Sequence, residues 1–145
     1  MIKKIAIVFA FIVVALTRSA SAQRFMYTGV ADAEVLAFFG KFQSAVVSGN
    51  KAVVASMVNY PLRVNAARKG TKFTIATSAD LIRRYDAVFT PSIRQAVAAE
   101  KPAKLSASKD GAGIAAGLVW INGKCDKKVK PAKCTLGVVS VNQVE

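Results

Sequence analysis

The stretch Ala31–Ser48, ADAEVLAFFGKFQSAVVS, decides how this chain folds. Val35, Phe38, Phe39, Phe42 and Val46 recur at the spacing of one helical face, so the segment reads as an amphipathic α-helix with a Phe-rich stripe. Asp32 and Glu34 sit in its first turn, where the helix dipole favours negative charge. Gly49 ends it. A stripe of this size has to be covered by a second layer, and the rest of the chain must supply that layer.

Downstream, Asn50 caps a short helix, Lys51 to Val58, and Pro61 forces an extended exit. Tyr60 to Asn65 reads as a strand, Arg68-Lys69-Gly70 as a turn and Lys72 to Ala76 as a second strand. Thr77 to Asp80 has capping-box spacing and opens a helix running to Phe89. Thr90-Pro91 restarts a helix that ends near Glu100. Three strands are then expected: Ala103 to Ser108, Gly113 to Asn122 and Thr135 to Asn142, with a hairpin signal at Asp110-Gly111. Runs of helix followed by runs of strand indicate an α+β domain with an antiparallel sheet.

Upstream, Lys3 and Lys4, the apolar run Ile5 to Leu16 and the small residues Ala20-Ser21-Ala22 have the layout of a secretory signal peptide. The run is too short for the roughly 20 residues of a membrane span. The expected cut follows Ala22, giving a periplasmic or secreted protein without a membrane anchor. Residues 23–30 would form a flexible or loosely docked lead-in, and 31–145 a single domain. The chain of 145 residues has 21 Lys+Arg against 8 Asp+Glu, a net charge of +13; losing Lys3, Lys4 and Arg18 takes that to +10. Such a charge favours an acidic partner or serves solubility alone. Cys125 and Cys134, an even pair in an exported protein, are expected to form a disulfide. The absence of histidine and of C-x-x-C spacing argues against a metal site or a cofactor.

Three local patterns carry a resemblance: Tyr60-Pro61-Leu62-Arg63-Val64-Asn65, Tyr85-Asp86-x-x-Phe89-Thr90-Pro91 and Gly113-x-x-x-Gly117-x-x-Trp120. With the order of elements across residues 31–143, the chain resembles small exported bacterial members of the cone-shaped superfamily of nuclear transport factor two, the ketosteroid isomerases and the SnoaL-like proteins. The resemblance implies a curved antiparallel sheet wrapped around the N-terminal helix, with a pocket at the open end of the cone. It also allows a homodimer through the outer sheet face, which no apolar stripe here demands. Enzymes of this superfamily commonly use an aspartate, often with a histidine, and here only Asp86 beside Tyr60 or Tyr85 could serve.

The expected function is therefore binding rather than catalysis. Tyr60, Arg63, Tyr85 and Trp120 are the candidates for a small-ligand site in the cone. Tyr85 and Trp120 could equally be core residues, and Arg63 could point either way, since Leu62 and Val64 share the opposite strand face. Lys127, Lys128 and Lys130 in the cysteine loop could dock an acidic protein or glycan, or could decorate a solvated hairpin tip. Nucleic acid is disfavoured because no aromatic residues interleave with these lysines. An inhibitor or immunity-type protein that blocks an exported enzyme is one alternative; an isomerase- or dehydratase-like enzyme built on Asp86 is another.

Overall fold

The computed structural model describes residues 22–68 and 70–144. The leader read over residues 1–22 lies outside them, apart from Ala22. Among the described residues, no helix is long and apolar enough to cross a membrane.

The chain is α+β: a curved, unclosed sheet of six strands with helices on one side. Helix α1 spans Asp32–Val47 and α2 spans Lys51–Ser56, the latter capped by the Asn50 side chain, which accepts from the Val53 N–H. Strands β1 (Val58–Asn65) and β2 (Lys72–Ile75) form a hairpin. Three short helices follow: α3 (Ser78–Arg83), capped by Thr77, then α4 (Tyr85–Val88) and α5 (Pro91–Ala99). The helix expected to run unbroken to Phe89 is thus split at Arg84. Strands β3 (Ser106–Ser108), β4 (Gly111–Ile114), β5 (Val119–Asp126) and β6 (Lys133–Asn142) complete the sheet.

The strand order is β2-β1-β6-β5-β4-β3. Neighbours pair antiparallel except β1 and β6, which run parallel. This corrects the expectation of a wholly antiparallel sheet. A parallel pair needs a long crossover, and the chain between β1 and β6 supplies one through three helices and four strands. The expected strand Gly113 to Asn122 is also two strands. Ala115, Ala116 and Gly117 all adopt positive φ (52°, 55° and 88°), which turns the chain back so that β4 pairs with β5. The Asp110-Gly111 hairpin signal holds, joining β3 to β4.

Val35, Phe39, Phe42 and Val46 of the α1 stripe are buried, and Phe38 is half-buried. They share one core with Leu62, Val64, Ile75, Ile114, Ile121 and Val141 from one face of the sheet, closed by Tyr85 and Ile93 from the short helices and by Phe89 between α4 and α5. Gln43 ties α1 to α5, its amide donating to the carbonyls of Val97 and Glu100.

Residues 23–30, expected to be a flexible or loosely docked lead-in, are seated. Asp32 Oδ1 and Oδ2 accept from the backbone N–H of Phe25 and Arg24, at 2.9 and 2.7 Å. The Arg24 guanidinium donates to the carbonyls of Pro102, Ala103 and Leu105. Phe25 and Thr28 are buried, and Gly123 of β5 leaves room for the Thr28 carbonyl, whose oxygen would lie 2.0 Å from a Cβ there. A single aromatic followed by a threonine shows no periodicity, so this docking has no signature in the sequence.

Candidate functional site

The outer face of the sheet, opposite the helices, carries a row of paired positions. Thr74 pairs with Arg63, Arg63 with Ser140, Ser140 with Trp120, Trp120 with Gly113, and Gly113 with Ser106. Side chains alternate along each strand, so sending Leu62 and Val64 into the core turns Arg63 outward. Arg63 and Trp120 stand two strand spacings apart, about 10 Å at the backbone. The next row places Lys72 and Asn142 beside Asn65. Arg63, Asn65, Lys72, Trp120, Ser140 and Asn142, with Asp110 from the β3–β4 turn, line an open groove of about 510 Å³, which lies within the usual size range of ligand sites.

The Trp120 ring lies against two glycines. A Cβ on Gly113 or on Gly117 would stand 3.2 Å from the indole. The spacing Gly113-x-x-x-Gly117-x-x-Trp120 therefore clears a flat bed for the ring, whose uncovered part lines the groove. The turn beneath it is strained, because two successive alanines occupy the left-handed region. Side chains hold it there: the Glu100 carboxylate accepts from the Ala115 N–H, and the Asn142 amide donates to the Gly117 carbonyl at 2.8 Å. Asn142 in turn accepts from the Asn65 amide, linking the bed of the indole to β1. Non-glycine residues in this conformation cluster at functional sites.

Charge at the groove is unbalanced. Among the described residues, neither Arg63 nor Lys72 has a carboxylate within ion-pair distance, although Asp110 lines the same groove. Arg63 is exposed on a strand whose opposite face is packed, so its cation is solvated and available.

The four residues expected to line one cone pocket are not brought together. Arg63 and Trp120 share the outer groove. Tyr60 is half-buried at the start of β1, and its hydroxyl donates to the Ala55 carbonyl at 2.8 Å. Tyr85 is on the helix side, 2% exposed, its ring tilted 32° to that of Phe89 with centroids 5.3 Å apart. The reason is the sheet itself, which separates its two faces. Burial raises the Tyr85 phenol above its ordinary value, and among the described residues its hydroxyl has no hydrogen-bond partner. Tyr85→Phe is expected to leave groove binding unchanged and to stabilise the fold by about 1 kcal/mol, since it removes an unmet buried donor. Thermal denaturation checks this, and a drop in stability would mean that the hydroxyl is satisfied.

Asp86 does not sit beside a phenol in a dry pocket. Its side chain is 69% exposed and pairs with Lys51 at 3.0 Å and Arg94 at 3.1 Å. The Lys51 ammonium, with Arg94, holds the carboxyl below its ordinary value. A carboxylate kept ionised in water by two cations is a poor base.

Cys125 and Cys134 form a disulfide across paired positions of β5 and β6, with Cα atoms 3.9 Å apart. Gly29 rests against the bridge. Lys127, Lys128 and Lys130 are exposed at the hairpin tip beyond it. A second depression of about 670 Å³ runs along this hairpin, between Asn59, Lys124, Val129 and Lys133, but none of the three tip lysines lines it. The signal for the outer groove was present in the sequence as strand alternation around Arg63; the pairing of β1 with β6 was not, and that pairing is what brings Arg63 to Trp120.

Comparison of the chain with protein-family models, with curated proteins and with solved structures finds no match to any of them.

Proposed function

We propose that this chain is an exported, non-catalytic binding domain that takes an anionic ligand in the outer groove of its sheet. One observation carries the reading. Arg63 and Lys72, neither of them ion-paired among the described residues, face the same groove as Trp120, whose ring is bedded on two glycines. An unpaired cation beside an aromatic face gives an anion both a charge-assisted hydrogen bond and a surface to lie on. The leader layout of residues 1–22 and the disulfide support export. The order of elements and the curvature of the sheet support kinship with the nuclear transport factor two and SnoaL-like cone. In this reading the Phe-rich α1 lies on the concave side, and binding has moved from the cone mouth to its outer wall.

Trp120 is the sole tryptophan, so its fluorescence reports the groove directly. Titration at low salt with polyglutamate and with uronate oligosaccharides (galacturonate, mannuronate or hyaluronan) is expected to give a saturable change with at least one of the two kinds of anion. Arg63→Glu should weaken that binding at least tenfold, because a charged hydrogen bond is replaced by repulsion. Lys127→Glu with Lys128→Glu and Lys130→Glu should change it less than threefold. Loss on the hairpin changes alone would move the site to the basic tip, as the acidic-partner reading requires. No response to either kind of anion in the wild type would remove the groove as an anion site.

A further inference from the structure

Resting on that groove reading, we infer that the anion is an acidic saccharide, a chain of sugar rings bearing carboxylates, lying across the outer face of the sheet. The groove crosses from Lys72 on β2, over Arg63 and Ser140, to Trp120 on β5 and Asp110 in the β3–β4 turn. Those elements lie within four strand spacings, roughly 19 Å, so the groove suits an extended ligand better than a compact one. It is a surface groove and not an enclosed cavity, whereas an apolar small molecule needs enclosure to remove its surface from water.

The chemistry of the lining matches polyhydroxylated rings. A pyranose has an apolar C–H face and an equatorial rim of hydroxyls. The indole offers a flat surface for the first, and Gly113 with Gly117 holds that surface down without a side chain to lift it. The rim needs paired donors and acceptors. Ser140, Asn65 and Asp110 line the same groove as the ring and carry a hydroxyl, an amide and a carboxylate. Asp110 is the discriminating residue. A carboxylate in an anion groove opposes a dense polyanion, but it accepts hydrogen bonds from sugar hydroxyls. Its backbone carbonyl accepts from the Asn122 amide at 3.1 Å, which fixes the turn that presents it. Arg63 and Lys72 then take the ring carboxylates, one cation on each of two adjacent strands.

Acidic peptides would use the same cations but would not need the indole or Asp110. The test therefore compares ligands of equal charge sign and different chemistry. Oligogalacturonate, oligomannuronate and a hyaluronan oligosaccharide are titrated by calorimetry, against maltohexaose as a neutral sugar and polyglutamate as a non-sugar anion. At least one uronate is expected to bind at least tenfold tighter than both controls. Trp120→Ala should weaken that binding at least tenfold, with Trp120→Phe restoring part of it, and Asp110→Asn should weaken it severalfold. Circular dichroism confirms that each variant is folded. Binding of polyglutamate as tight as that of every uronate, lost in Arg63→Gln but kept in Trp120→Ala, would overturn the saccharide inference and leave the anion groove standing. Failure of all the anions to bind would overturn both. Self-association that Arg63→Gln abolishes would assign the groove to a second copy of the chain and overturn the saccharide inference as well.

Discussion

Phe42→Ala is expected to destabilise the protein by about 3–5 kcal/mol, the cost of truncating a fully buried aromatic. Phe42 is 0% exposed at the centre of α1, and its ring lies 6.1 Å from that of Phe89. It thus joins the first helix to the segment between α4 and α5 on the helix side of the core. Single domains have about 5–15 kcal/mol in total, so this one change would remove about a fifth or more of the reserve. In thermal unfolding the midpoint should fall by roughly 10–20 °C. Leu36→Ala is the paired control, since Leu36 is 37% exposed on the other side of the same helix. It should stay within about 0.5 kcal/mol of wild type. Equal losses in the two variants, measured by urea denaturation, would mean that the stripe does not face the sheet.

Replacing both Cys125 and Cys134 by serine is expected to cost about 2–3 kcal/mol, the loop-closure entropy restored to the unfolded chain. The cross-link spans nine residues and lies at one end of a long β5–β6 ladder, so the ladder should still form. The sharper consequence is local. Gly29 rests on the bridge and Thr28 on Gly123, so the segment around Phe25 should loosen first. Hydrogen exchange at the Thr28 amide, which donates to the Phe25 carbonyl at 3.0 Å, reads that directly. Protection at Thr28 that survives removal of the bridge, with an unchanged urea midpoint, would show that neither the loop nor the lead-in depends on it.

Both of these features could be read before the fold was known. The α1 stripe, the Asn50 and Thr77 caps, Pro91 at the start of α5 and the Asp110-Gly111 hairpin all obey rules spanning a few residues, and all are present. The disulfide was legible because its partners are close in sequence and are the only cysteines. The division of β4 from β5 was not, because alanine seldom adopts the left-handed region. What overrides that preference comes from afar: Glu100 and Asn142 supply the bonds that hold the turn.

The candidate site divides along the same line. Alternation in the chain alone set Arg63 apart from Leu62 and Val64, and the glycine spacing ahead of Trp120 was visible as a pattern. Which of the four proposed ligand residues would meet was a question of sheet order. The parallel pairing of β1 with β6 brings Arg63 beside Ser140 and Trp120, while the sheet itself screens Tyr85 from them. Local hydrogen bonding and periodicity are properties of neighbouring residues, so the order of amino acids determined the helices, their caps, the hairpin and the bridge. Adjacency across strands far apart in the chain depends on how the whole core closes, and only the tertiary structure decided where the groove lies.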